Sequence, residues 1–366
     1  MRTALFFSTL PRLCFAAGCA MIRIYDNMKG VARVVLSVVV PSYNAERYLD
    51  KCLKSLCIPA ARGRLEVIVV NDGSSDNTGE MAHAWAEREP KIVRVVDKEN
   101  GGHGSAVNAG IDAAHGKYLR IVDADDWLDT ASLPALLDAL EAATADLVVD
   151  QKFENSLETG AEARFPLPPE LPFNKTLNFA DYRGDGMTEY YMLHTLSVRL
   201  PLLRALNVRL LEHTFYVDFE YILKVTSRAQ TIEFLPLFVY HYLVGNAAQS
   251  VAPANYVRRS DQHRRVLNEC LRFRREDDIP ADARDYVTRR CLLLINTHLT
   301  IHLIYDRDRR RGARNARTFM AALRASDSGL YGASLKRYYI KRIAHALGVT
   351  DQTITWLRSA RRKERP

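Results

Sequence analysis

The chain has 366 residues, 48% of them hydrophobic, and a formal net charge of +8. That is ample for a real core in one large domain or two ordinary ones, and no run of ~18 uncharged apolar residues marks a membrane span. The positive balance suits an anionic substrate, an anionic membrane surface or nucleic acid without choosing among them. Six cysteines (Cys14, Cys19, Cys52, Cys57, Cys270 and Cys291) form no C-x-x-C pair and no zinc spacing, which fits inert thiols in a reducing compartment.

Residues 1–33 read as an extension outside the fold. Their start vaguely resembles a signal or lipoprotein peptide, but Pro11 and Arg12 interrupt the apolar region, and Met21 or Met28 reads as the natural start. The β-branched run 34–40 predicts a central strand of a parallel sheet, broken by Pro41-Ser42-Tyr43-Asn44. A helix is expected over 45–56, from the helical spacing of Tyr48, Leu49, Cys52, Leu53 and Leu56. Residues 65–70 predict a second strand, followed by Asn71-Asp72-Gly73-Ser74-Ser75-Asp76-Asn77; Asp76 or Asn77 is placed to cap a helix over 78–88. A third strand is expected over 92–96. The loop Asn100-Gly101-Gly102-His103-Gly104 then leads into a helix over 105–114. It matches neither G-x-G-x-x-G nor G-x-x-x-x-G-K-[ST], although its glycines suit close approach of the backbone to phosphate. A short buried strand over 118–122 ends in Asp123-Ala124-Asp125-Asp126, and a helix over 133–142 and a strand over 146–149 follow. The alternation predicts an α/β fold, a mostly parallel sheet with helices on both faces.

Three strands thus end in polar turns at one sheet edge, where open α/β sheets bind ligands. Three carboxylates within four residues call for a counter-charge, most economically a hard divalent cation completed by substrate phosphates.

Val38-Val39-Val40-Pro41-Ser42-Tyr43-Asn44, Asn71-Asp72-Gly73-Ser74-Ser75-Asp76, residues 100–110 and Asp123-Ala124-Asp125-Asp126, in this order and spacing, resemble the family 2 glycosyltransferases of the GT-A fold. The resemblance is specific over 34–149 and continues more loosely through Phe215-Tyr216-Val217-Asp218-Phe219-Glu220 to Gln249-Ser250. It implies an inverting transferase that uses a nucleotide-sugar, a UDP-sugar first, with Mn²⁺ or Mg²⁺. The catalytic domain would span 34–250, with a nucleotide half over 34–150 and an acceptor half over 151–250. By the same resemblance Pro41 and Tyr43 line the base pocket, Asp72 meets the base edge, and Asn44, Gly102, Asn108 and Ala124 complete the nucleotide site. Asp123 would hold the ribose and share the metal with Asp125, supported by Asp126. Asp218 would be the catalytic base, with Glu220 as fallback. His241 is a further candidate metal ligand, and Asp126 and Gln249 are candidate donor or acceptor contacts. For Asp218 the residues also allow a plain helix cap, and for His241 a packed aromatic residue.

Strands are expected over 232–235 and 237–242, and residues 251–366 read as a basic helical region. There Leu335, Tyr338, Tyr339, Ile343 and Leu347 are expected on one face, with Ser334 starting the helix and Gly348 ending it. With the tail of Arg358, Arg361, Arg362, Lys363 and Arg365, this region is either a peripheral membrane element or a solvated helix on the catalytic domain. The implied function is sugar transfer to a saccharide or lipid-linked acceptor in bacterial surface polysaccharide or glycolipid synthesis, on the cytoplasmic side and without nucleic acid. A sugar-nucleotide pyrophosphorylase is the alternative enzyme, but Pro41-Ser42-Tyr43-Asn44 stands where a basic Gly-rich signature belongs. A non-catalytic nucleotide-sugar binding protein is the other alternative, opposed by the intact Asp123, Asp125 and Asp218.

Overall fold

The computed structural model describes residues 34–184, 186–245, 252–276 and 278–353. The expected extension over 1–33, Gln249 and the basic tail from Arg358 to Arg365 lie outside these residues. In chain order the elements are β1 (Leu36–Ser42), α1 (Leu49–Leu56), β2 (Leu65–Asp72), α2 (Thr78–Arg88), β3 (Val93–Lys98), α3 (His103–Ala113), β4 (Tyr118–Ile121), β5 (Trp127–Leu128), α4 (Leu133–Ala142), β6 (Leu147–Ser156), β7 (Glu162–Phe165), β8 (Leu177–Asn178), β9 (Leu196–Arg199), α5 (Leu200–Ala205), α6 (Val217–Thr226) and β10 (Thr231–Val244). A helical region follows: α7 (Pro253–Arg258), α8 (Ser260–Phe273), α9 (Arg284–Thr300) running into a π-turn at Ile301–Tyr305, α10 (Arg309–Ser326) and α11 (Ser328–Ala346).

The strands form one sheet in the order β3-β2-β1-β4-β9-β6-β10-β5. β3, β2, β1 and β4 run parallel, as the β-α alternation predicts. Each residue of β1 faces opposite to the next, so Leu36, Val38 and Val40 join one core and Val39 the other. α1, α2 and α4 cover the first face, and α3 and α6 the second. β9, between β4 and β6, is antiparallel to both, so the sheet is mixed beyond β4. No local pattern in a four-residue strand announces that insertion.

The two strands expected over 232–242 are one strand, β10. Its register with β6 shifts between Phe234 and Phe238, around Pro236, which has no N–H for the ladder. β5 follows the carboxylate turn at once and pairs with the far end of β10, Leu128 opposite Tyr240 and Trp127 opposite His241. That pairing draws the carboxylate turn over β10. The helical region packs into the same core as the sheet: Val39, Ile68 and Leu119 lie in one cluster with Val266, Leu294 and Phe319.

α11 starts seven residues earlier than the sequence suggests. The Asp327 side chain accepts from the Leu330 N–H and caps it, while Ser334 sits buried within the helix. Gly348, at φ 78°, ends it as expected. Among the described residues no helix is long and apolar enough to cross a membrane.

Candidate active site

The polar turns after β1, β2 and β4 meet at the carboxyl edge of the parallel strands. The first two are stitched together by hydrogen bonds from backbone N–H groups to side-chain oxygens. The Asn44 N–H donates to Ser74 Oγ (3.1 Å), and Asn44 Oδ1 accepts from the Ser75 N–H (2.9 Å). The Ala45 N–H donates to Thr78 Oγ1 (2.7 Å). Asn44 takes a left-handed φ of 50°, which turns the chain sharply after Pro41 and Ser42 and leaves Tyr43 55% exposed beside the edge.

Asp72 ends β2 and is 2% exposed. Its Oδ1 accepts from Lys98 Nζ (2.7 Å) and the Gly101 N–H (2.9 Å), and its Oδ2 accepts from the Gly102 N–H (2.7 Å). The observed contacts of Asp72 therefore hold the glycine loop at the mouth of α3, a task absent from the base-edge expectation. Gly102, at φ 82°, is the residue before α3, and a Cβ there would meet the His213 backbone at 3.3 Å. Asn108 is a second departure. Its amide is buried, donating to the Leu210 carbonyl (3.0 Å) and accepting from the Leu210 N–H (2.9 Å). Both functions of the side chain anchor the segment before α6, so nucleotide contact is not what occupies it.

In the third turn, Asp123 Oδ1 lies 3.0 Å from His103 Nε2, and the Asp123 N–H donates to the Tyr240 hydroxyl (3.3 Å). Ala124 is buried. Asp126 turns inward: its Oδ2 accepts from the Tyr240 hydroxyl (2.5 Å) and its Oδ1 from the Leu243 N–H (2.7 Å). Burial, and then the charges of Asp123 and Asp125, push its carboxyl up to about 8. Asp126 therefore braces the turn against β10. Asp125 is half-buried, and burial followed by the Asp123 charge pushes it up to about 6.

Asp218 arrives from the other half of the chain. Tyr216, at φ 69°, reverses the backbone directly before α6, and its ring stacks on Tyr256 at 4.8 Å. Asp218 is the second residue of α6 rather than its cap, and it is exposed. Desolvation raises it above the usual carboxylate range, against the pull of His103 and the Phe219 N–H, and the charge of Asp123 adds to the rise. Burial alone would lower His103, but the hydrogen bond and charge of Asp123, with the charges of Asp218 and Asp125, lift it above its ordinary value. Asp123, Asp125, Asp218 and His103 are thus one electrostatic cluster, with the Asp123 carboxyl held low by His103 despite burial.

Two expected residues stand elsewhere. Glu220 is 1% exposed; its Oε2 accepts from the Leu211 N–H (3.1 Å) and its Oε1 from Lys224 Nζ (2.6 Å). A carboxylate committed to both partners is an anchor for the 208–214 segment, not a spare base. His241 stacks between Trp127 (5.0 Å) and Phe153 (4.4 Å), with Nδ1 at 3.1 Å from Asn155 Oδ1 and Nε2 at 3.7 Å from Asp129. The packed-residue alternative describes it, since none of these partners belongs to the Asp123–Asp125–Asp218 cluster.

His103, Lys98 and Tyr240 escaped sequence reasoning. For His103 a signal existed: a cationic ring is out of place at a helix N-terminus unless anions face it.

Asp123 and Asp125 offer hard oxygen donors close enough to raise one carboxyl through the other. Among the described residues no group of three or more His, Cys, Asp or Glu forms a closed metal site. Two carboxylates at an open edge fit Mg²⁺ or Mn²⁺, which take one or two carboxylates and draw further ligands from substrate phosphates and water.

Residues 37–196 match the model described as Glycosyl transferase family 2. The uncharacterized glycosyltransferase EpsJ of Bacillus subtilis is 36% identical over 143 residues, covering 39% of this chain and 40% of its own length. The uncharacterized glycosyltransferase YibD of Escherichia coli is 30% identical over 223 residues, covering 59% of this chain and 63% of its own. The chain therefore spans between 40% and 63% of the length of these two relatives. In fold, the chain is similar to Staphylococcus aureus TarS 1-349, solved in complex with UDP-GlcNAc, with a TM-score of 0.58, 18% identity, and coverage of 86% of this chain and 92% of that one.

Proposed function

From the match of residues 37–196 to the glycosyltransferase family 2 model, we propose that the chain transfers a sugar from a nucleotide-sugar, a UDP-sugar first, to a saccharide or lipid-linked acceptor, with inversion at the anomeric carbon. The setting is the synthesis of a bacterial surface polysaccharide or glycolipid, with peripheral membrane attachment where the acceptor is lipid-borne. The observation that carries the reading is the meeting of the three polar turns at one sheet edge, where His103 Nε2 lies 3.0 Å from Asp123 Oδ1 in the carboxylate turn.

The exposed ring of Tyr43 stacks on the base, while Pro41, expected beside it, lies buried within β1. Asp72 engages the Gly101 and Gly102 N–H groups and so fixes the N-terminus of α3, whose positive end faces the diphosphate. Asp125 with Asp123 would hold Mn²⁺ or Mg²⁺, which when bound supplies a Lewis acid for the charge that gathers on the departing diphosphate. Asp126 and the Tyr240 hydroxyl keep that turn in place. Asp218 takes the proton from the acceptor hydroxyl as its oxygen bonds to the anomeric carbon. The bond from that carbon to the phosphate oxygen breaks, and the electron pair leaves with the nucleoside diphosphate. A carboxyl raised above its ordinary value is a stronger base than an unperturbed one, provided it is ionised at the working pH.

The test is hydrolysis of UDP-sugars without added acceptor, with and without Mn²⁺. Metal-dependent release of UDP by the native chain, lost in Asp125→Ala, supports the reading. Absence of both turnover and UDP binding across a panel of nucleotide-sugars would overturn it.

A further inference from the structure

α10 and α11 leave a surface that the other described residues do not cover. α11 buries Leu330, Ser334 and Tyr338 inward. Its outer side exposes Tyr339 (58%), Ile340 (57%), Ile343 (61%) and Leu347 (77%). At about 3.6 residues per turn, Lys336, Ile340, Ile343 and Leu347 share one strip, with Arg337 on one flank and Tyr339 on the other. This differs from the face read from the sequence, because Tyr338 turns into the core and Ile340 takes its place outside.

The charge of the same region is one-sided. Between residues 309 and 347 the sequence holds ten Lys and Arg against a single acid, Asp327. Asp327 is already engaged, at 2.6 Å from Arg274 and as the cap of α11. Lys336 and Arg337 are exposed within or beside the apolar strip.

Scattered apolar residues on a surface need no explanation, but a continuous aliphatic strip set among cations does. A second copy docked strip to strip would bring the exposed Lys336 and Arg337 against their own counterparts. Nucleic acid would use the cations and gain nothing from Ile340, Ile343 and Leu347. An anionic lipid surface uses both features: the aliphatic strip lies among the headgroups while Lys336 and Arg337 reach the phosphates along their own stems. We propose that α11 docks the chain on anionic lipid through the strip of Lys336, Ile340, Ile343 and Leu347, with the α10 cations supplying long-range attraction. The inference rests on the glycosyl-transfer reading for its purpose, since a lipid-linked acceptor is presented at such a surface.

The experiment is co-sedimentation of the full chain with phosphatidylglycerol vesicles and with phosphatidylcholine vesicles, for the native chain, Ile340→Ser/Ile343→Ser/Leu347→Ser and Lys336→Glu/Arg337→Glu. All five positions are solvent-facing or near the helix end, so the variants keep the native melting temperature. The native chain is expected to partition to phosphatidylglycerol at least about tenfold better than to phosphatidylcholine, to release as salt rises, and to lose at least about tenfold in each variant. UDP-sugar hydrolysis without acceptor stays at the native rate in both variants. That readout separates the two ideas: native vesicle binding with neither hydrolysis nor UDP binding would sink the transferase reading alone. Equal partitioning of native and variant chains, no lipid preference, or a native dimer that the serine variant dissociates would each overturn the docking face.

Discussion

His263 is expected to make the chain acid-labile, and His263→Phe is expected to remove a defined part of that lability. The ring is 0% exposed, and neither of its nitrogens has a hydrogen-bond partner among the described residues. It stacks on His298 at 5.3 Å, and His298 meets His302 edge-on at 4.7 Å. The surrounding groups are Tyr216 before α6, Tyr256 on α7, Asp261 and Arg264 on α8, Phe319 on α10, and Asp306 and Arg311 beside His302. Burial, and then His302, push His263 down to about 4 from an ordinary 6.5. The unfolded chain therefore takes up a proton below 6.5 that the folded chain refuses. Stability from this group is intact above that value and drains away as pH falls toward about 4. Linkage gives a loss of about 2 kcal/mol at about pH 5 relative to about pH 7.5. Asp125 and Asp126, raised in the folded state, respond with the opposite sign, so the native curve alone does not isolate the histidine. The assay is urea denaturation of the native chain and of His263→Phe at both pH values. Near pH 7.5 the two should agree within about 1 kcal/mol, because a ring of similar shape replaces two unpaired nitrogens. Near pH 5 the variant should be the more stable by about 2 kcal/mol. Transfer should follow stability, because Tyr216, 5.6 Å from His263, sets the entry of α6 and so the position of Asp218. An unchanged pH dependence in His263→Phe would refute the reasoning.

Asp218→Asn should bind UDP-sugar as the native chain does and lose transfer by about 10² or more, measured by initial rates at saturating donor; full transfer would show that the base lies elsewhere. Asp125→Ala should keep its fold by circular dichroism and lose the Mn²⁺-dependent rise in melting temperature with UDP, while retention of that rise would show that the turn holds no metal. Asp72→Ala strands the Lys98 ammonium and the Gly101 and Gly102 N–H groups, so it should destabilise the chain by about 3 kcal/mol and weaken UDP binding in a calorimetric titration. Glu220→Gln keeps one acceptor for the Leu211 N–H and should leave the pH profile of transfer unchanged while lowering stability, whereas a shifted profile would return Glu220 to the chemistry.

The sequence by itself determined the parallel half of the sheet and the polar turns that gather at its edge. β-branched runs separated by helical spacing are local patterns, and each of β1 to β4 carries its own. The same holds for the carboxylate turn, since charges that close in sequence cannot separate in space. The tertiary structure decided how each carboxylate is used. Asp126 is a brace because β5 pairs with β10 and brings Tyr240 and Leu243 to it, more than a hundred residues away in sequence. Asp72 and Glu220 became anchors, and His103 joined Asp218, through contacts between the glycine loop, the 208–214 segment and α6. No local pattern encodes such pairings, because a carboxylate looks the same in sequence whether it will meet a backbone N–H, a lysine or open water. The outer face of α11 was settled the same way: helical spacing permitted several apolar strips, and packing against the core chose which one faces outward.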